Sequence, residues 1–309
     1  MIANSIEELI GNTPLVKLGK LSKLAGATIL AKCEFMNPTS SIKDRIALNM
    51  INSALKSGRI TLDSTIIEPT SGNTGVGLAA VCASKGIKLI LTMPKSMSIE
   101  RRNLLTHLGA EIVLTPASEG MPGAIHMAED LASKLDGLVL QQFQNPDNPT
   151  IHKKTTAIEI LRDTNSKLDY FVSAVGTGGT IMGTSEVLKE HIPHLKSIAV
   201  EPSNSAVLSG EKMGLHQIQG IGAGFIPTVL NTDIIDEIIQ VDDDKAFEMA
   251  RRVAKEEGLL VGVSSGANIF ASFEIASREE NRGKTIVTLL CDTAERYMST
   301  KLFIDESKS

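Results

Sequence analysis

The feature that most constrains this chain of 309 residues is an alternation of short β-rich apolar runs with segments of helical pattern. Thr65-Ile66-Ile67 leads into a helical pattern from Gly75 to about Ser84. The run at 88–92 is followed by a helical pattern near 99–107, and the run at 111–114 by one near 124–134. A second series contains the runs 170–174, 197–200 and 285–290. Strands separated by helices return in the same direction, so the repetition predicts parallel sheets with right-handed crossovers. The clearest break between the two series is Asn145-Pro146-Asp147-Asn148-Pro149, whose prolines and asparagines stop both periodicities. Open α/β sheets of this kind take ligands at the carboxyl ends of their strands.

Composition narrows the function classes. A net charge of -5 without a long basic or acidic block makes nucleic acid and anionic membranes unexpected partners. Cys33, Cys82 and Cys291 are scattered. They fit neither a zinc spacing nor a disulfide framework, which suits a reducing compartment. Met1 opens into a polar stretch without a basic and then apolar leader, and no apolar run approaches the roughly 20 residues that span a bilayer. The expectation is a cytoplasmic protein.

Three motifs fall near strand ends. Ser40-Ser41-Ile42-Lys43-Asp44-Arg45 starts a helical pattern and offers one amine, Lys43, suited to covalent and proton-transfer chemistry. Thr70-Ser71-Gly72-Asn73-Thr74-Gly75 ends a strand and starts a helix. A helix N-terminus with hydroxyls can hold a carboxylate without a buried cation, although the same residues also read as a capping cluster. Gly176-Thr177-Gly178-Gly179-Thr180 likewise follows a strand and opens a helix, the arrangement that binds a phosphate dianion through backbone N–H groups. Read alone, it is equally a turn or a mononucleotide loop. Ser264, in Gly262-Val263-Ser264-Ser265-Gly266, reads alone as a helix N-cap. His191 and His194 flank Pro193, which spoils a shared helical face, so no metal site is expected.

Taken in this order, the motifs resemble those of the cysteine synthase (O-acetylserine sulfhydrylase) family, whose fold is shared with the tryptophan synthase β-subunit. The likeness runs from Gly11-Asn12-Thr13-Pro14-Leu15 to Glu295-Arg296-Tyr297-Met298-Ser299-Thr300. It implies pyridoxal 5'-phosphate and fold type II: two open twisted-sheet α/β domains with helices on both faces and the cofactor in the crevice between them. A smaller, mobile domain would comprise 36–147, and a larger, cofactor-anchoring one 1–35 plus 148–309. Lys43 would be the catalytic lysine that binds the cofactor, Asn73 would meet its ring hydroxyl, and Gly176, Thr177, Gly178, Gly179 and Thr180 its phosphate. Ser264 would meet the pyridine nitrogen. A neutral hydroxyl there does not force that nitrogen to be protonated, which suits prompt loss of a β leaving group. Thr70, Ser71, Gly72, Asn73, Thr74 and Gln142 would bind the substrate carboxylate. Gly222, in the loop 220–227, would line the pocket mouth. Thr39 departs from the glycine that most bacterial members carry.

The implied reaction converts O-acetyl-L-serine and sulfide into L-cysteine and acetate through an α-aminoacrylate, with Lys43 as both base and acid. The same chemistry run on L-cysteine would release hydrogen sulfide and join a second thiol, as in lanthionine or cystathionine synthesis. There Asp233, beside the pocket loop, would orient a second amino acid or a water; a solvated loop residue is the plainer reading. The resemblance also implies a homodimer and a serine acetyltransferase partner that docks its C-terminal tail. Two other classes remain open. A retired, regulatory cofactor binder would tolerate loss of Lys43, Asn73 and Gln142, all of which are present. A nucleotide module would carry Gly-x-Gly-x-x-Gly and a later acidic residue, which the chain lacks.

Overall fold

The structure is a computed structural model that describes residues 2–304. The described residues form two compact units: 2–10 with 37–148, and 11–36 with 149–304. The strands, in chain order, are β1 (Leu15–Lys17), β2 (Thr28–Cys33), β3 (Thr65–Pro69), β4 (Lys88–Pro94), β5 (Glu111–Thr115), β6 (Leu138–Val139), β7 (Tyr170–Ala174), β8 (Lys196–Pro202), β9 (Glu237–Val241) and β10 (Thr285–Leu290). The helices are α1 (Gly19–Ala25), α2 (Lys43–Lys56), α3 (Asn73–Lys85), α4 (Ile99–His107), α5 (Gly120–Leu135), α6 (Asp147–Ile151), α7 (Ala157–Thr164), α8 (Gly179–His191), α9 (Asp243–Glu257) and α10 (Val263–Ala276). A π-helical turn, His152–Thr156, joins α6 to α7. No helix among the described residues is long and apolar enough to cross a membrane.

The smaller unit holds a four-stranded parallel sheet in the order β5-β4-β3-β6. Every residue of β4 after Lys88 is buried, as expected of a strand covered on both faces. Ile67, Ile90 and Ala128 form a cluster where α5 packs on the sheet. On α3, Gly77 admits a close helix crossing: a Cβ there would lie 3.1 Å from both Ala47 Cβ and the Lys43 carbonyl oxygen. That crossing fixes the first turn of α2. Residues 2–10, expected with the larger domain, belong instead to this unit. Their 3-10 turn, Ile6–Leu9, lies against α3, and Glu7 pairs with Lys85 at 2.8 Å.

The larger unit holds a six-stranded sheet in the order β1-β2-β10-β7-β8-β9. Its strands are parallel as expected, except that β1 pairs antiparallel with β2, Leu15 opposite Lys32. The intervening stretch, 18–27, is shorter than the dozen or so residues a parallel crossover needs. The core gathers β2, β7, β8 and β10 against α9 and α10 and is rich in Ile, Val and Ala. The motif at 11–15 serves this core. Thr13 donates to Glu34 at 2.6 Å, and its carbonyl accepts from Lys32 Nζ at 2.7 Å. Lys32 is fully buried and paired with Glu159 at 2.7 Å, so both charges are compensated.

Candidate functional site

In the smaller unit the expected site residues gather at helix N-termini. Lys43 is the first residue of α2, half-buried, with its amide donating to Ser41 Oγ at 3.1 Å. Asp44 fixes the preceding turn: its carboxylate accepts the Thr39 amide at 2.7 Å and also the Thr39 hydroxyl. The threonine that replaces the family's usual glycine is therefore used. Between β3 and α3, Thr70 Oγ1 accepts the Gly72 amide at 3.2 Å, and the Ser71 carbonyl accepts Arg101 Nη1 at 3.1 Å. Ser71 Oγ itself donates to Met97 Sδ at 2.7 Å. Gly72 is the N-cap of α3, and no side chain caps that end. The first-turn amides and the positive end of the helix dipole there suit an anion.

The structure brings Gln142 to this helix end. The hydroxyl of Thr74 donates to Gln142 Oε1 at 2.7 Å, and both residues are buried. With Oε1 taken, the side-chain NH2 of Gln142 is what remains to offer, and it is a donor, the polarity an anion needs. Behind it lies a buried acid that no motif in the sequence marks. Glu68, 1 % exposed, accepts the amides of Leu140 at 3.0 Å, Gln141 at 3.1 Å and Gln142 at 3.3 Å. Burial pushes its carboxyl up to about 7, against the pull of those three amides. Its partners lie more than 70 positions away, so the sequence around it carries no local signal of this role.

In the larger unit the loop 176–180 joins β7 to α8. Gly178, at φ 79°, is the N-cap of α8, and no side chain caps that helix end. A Cβ on Gly176 would overlap the Gly220 carbonyl oxygen, and one on Gly178 would lie 2.9 Å from Leu230 Cβ. Only glycine fits this cradle. Thr177 is buried within it. Thr180 Oγ1 lies 3.2 Å from His152 Nε2, whose other ring nitrogen is 2.8 Å from Thr156 Oγ1. Gly222 comes alongside: its amide donates to the Val175 carbonyl at 3.0 Å, and its own carbonyl accepts from His216 Nε2 at 3.0 Å. His152 and His216 lie beside Thr180 and Gly222, and no spacing in the sequence announced either.

Ser264 is buried in the first turn of α10. Gly262 occupies the N-cap position, so the capping alternative for Ser264 does not hold. Its neighbour Ser265 accepts the Cys291 amide at 2.8 Å. Asp233 lies in an exposed 3-10 turn, Thr232–Ile234, with its amide on Asn231 Oδ1 at 3.0 Å. From that segment Leu230, rather than Asp233, faces the glycine loop.

Residues 6–292 match the family described as pyridoxal-phosphate dependent enzyme. The chain is 52% identical over 301 residues to a cysteine synthase of Staphylococcus aureus strain Mu50, covering 97% of each chain. Among solved structures it is similar to the cysteine synthase of Entamoeba histolytica, at a TM-score of 0.96 and 45% identity, over 99% of this chain and 92% of that one. It is also similar to a hydrogen sulfide-producing enzyme of Fusobacterium nucleatum, at a TM-score of 0.91 and 45% identity, over 96% of this chain and 100% of that one.

Proposed function

The chain belongs to the pyridoxal-phosphate-dependent enzyme family, and we propose that its reaction is β-replacement: O-acetyl-L-serine and sulfide give L-cysteine and acetate. The observation that carries this reading is the 52% identity, over 97% of both chains, to a cysteine synthase. The Cβ–O bond breaks with loss of acetate, and a Cβ–S bond forms in its place. When bound, pyridoxal phosphate supplies an aldehyde for an amine and a ring that withdraws electrons from the amino acid's Cα.

The residues present fit that cofactor. A dianion needs several N–H donors in close approach, and the loop 176–180 offers a glycine cradle that a Cβ would fill, at a helix end without a side-chain cap. The hydroxyl of Thr177 adds a donor. The amine of Lys43 would hold the cofactor's aldehyde carbon, and Asn73 and Ser264 would supply neutral hydrogen-bonding groups for its ring. Displaced there by the substrate's amine, Lys43 Nζ would take the proton from Cα. The carboxylate of the amino acid is received by the first turn of α3, by Thr70 and Ser71, and by the NH2 of Gln142. The protein works in the cytoplasm as a homodimer, and serine acetyltransferase is its expected partner.

A second reading has its own support in the 45% identity to the hydrogen sulfide-producing enzyme: L-cysteine as donor, sulfide as leaving group and another thiol as acceptor. The two are separated by supplying the purified holoprotein with O-acetyl-L-serine plus sulfide, or with L-cysteine plus homocysteine, and measuring cysteine and sulfide. Cysteine formed much faster than sulfide is released supports the first reading. The reverse order supports the second, and neither product overturns both.

A further inference from the structure

We propose that Glu68 is a positioning residue for substrate binding: its carboxylate gathers three consecutive amides and thereby sets Gln142 against the N-terminus of α3. The inference rests on the reading that Gln142 meets the substrate carboxylate. The need for such a group comes from the shortness of β6. Its ladder with β3 pairs Ile66 with Leu138 and Ile67 with Val139, and then the chain turns away. Gln141 takes φ +58°, a conformation costly for a residue with a Cβ, which persists where surrounding contacts over-determine it. The turn aims the amides of 140, 141 and 142 at one point beyond the strand. Three donors converge there, those of Leu140 and Gln142 on buried residues that need acceptors, and the carboxylate at Glu68, an acceptor with no proton to offer when ionised, takes all three.

The far side of the turn is fastened as well. Asn145 Nδ2 donates to the Leu140 carbonyl at 2.8 Å, and the Gln141 carbonyl accepts the amides of Gln144 and Asn145 at 2.9 Å. Asn148 Nδ2 donates to the Gln142 carbonyl at 2.8 Å. The backbone of Gln142 is thus held on both sides, and its side-chain oxygen accepts the 2.7 Å bond from Thr74, which leaves the NH2 to donate. Glutamine at position 68 could serve the same place with only one acceptor oxygen. Its NH2 would face an amide N–H, and at least one buried donor would lose its partner.

The test compares Glu68→Gln and Gln142→Ala with the wild-type holoenzyme by hydrogen exchange at 140–142 and by the steady-state kinetics of O-acetyl-L-serine. For Glu68→Gln we expect exchange at these amides about tenfold faster or more. We also expect a roughly tenfold rise in KM, matching Gln142→Ala, with kcat within about threefold and cofactor absorbance retained. Adding Gln141→Gly, which removes the left-handed strain, should recover part of the lost affinity. Unchanged exchange, or unchanged KM where Gln142→Ala raises it, overturns the role of Glu68 and leaves the carboxylate reading standing. If Gln142→Ala itself leaves KM unchanged, that reading is what fails, and the inference about substrate binding falls with it even where exchange accelerates. Should Glu68→Gln not accumulate, Glu68→Asp, which keeps the charge but withdraws it by one methylene, is judged by the same outcomes.

Discussion

The two glycine-bearing loops that open α3 and α8 are built from opposite materials. In the smaller unit the α3 end is shaped by side chains. Arg101 holds the Ser71 carbonyl, Thr74 holds Gln142, and Glu68 holds the turn that carries Gln142. In the larger unit the α8 end is shaped by main chain. Gly176 lies against the Gly220 carbonyl, Gly178 adopts a left-handed conformation, and the Gly222 amide ties its loop to Val175. A strand-end glutamate occurs here too. Glu201 accepts the amides of Leu208 and Ser209 at 2.8 and 3.0 Å, but it braces a neighbouring segment rather than the glycine loop. The contrast teaches where each loop is fragile. The glycine loop should reject any added carbon, whereas the α3 loop should accept carbon and reject the loss of a polar partner.

The largest expected effect concerns neither loop but the amine of Lys43. Lys43→Ala should lower turnover by about a thousandfold while the loop 176–180 still retains some cofactor. Steady-state rates and cofactor absorbance after gel filtration would show it, and normal turnover would break the assignment. Next comes the contrast itself. Gly176→Ala should destabilise the larger unit by about 1–3 kcal/mol through overpacking. Gly72→Ala has no atom nearer than Thr70 Oγ1 at 4.0 Å and should cost less than about 1 kcal/mol, the scale of an N-cap change. Denaturant titration of both variants decides; equal losses would erase the distinction between the loops. Thr177→Ala should be milder, weakening cofactor retention by about fivefold as one hydrogen bond is lost, with kcat at full occupancy little changed. Loss of chemistry at full occupancy would contradict the phosphate role.

The smallest effect is a slope in pH. The Glu68 carboxyl titrates at about 7 in the folded chain against an ordinary 4.5, so between those values the folded protein binds more protons than the unfolded one. Its contribution to stability is complete below about 4.5, falls as pH rises toward 7, and is level above. Chemical denaturation of wild type and Glu68→Gln at pH 5 and pH 8 isolates it. Wild type should lose stability relative to the variant on going to the higher pH; parallel behaviour would place the Glu68 carboxyl at its ordinary value.

Much of the fold was legible because its signals are local. The strand at 170–174 and the helix at 99–107 appear where apolar runs and helical periodicity place them, and both glycine-bearing loops open helices as their residues imply. What stayed hidden depends on partners far away in sequence. Glu68 is separated from Leu140 by 72 positions, and in Thr65-Ile66-Ile67-Glu68-Pro69 nothing distinguishes a buried acceptor from a solvated strand end. The direction of β1 turned on the length of one connection, and the placement of residues 2–10 on contacts with α3 that include the pairing of Glu7 with Lys85. Thr180 could be named as a hydroxyl, but not as one lying against His152.

Lys43 is the residue proposed to hold pyridoxal phosphate in this chain. The most direct test is to reduce the purified holoprotein with sodium borohydride, digest it, and locate the added pyridoxyl phosphate by peptide mass. The account predicts the label on the peptide containing Lys43. A label on a different lysine, or none in a yellow preparation, would contradict it.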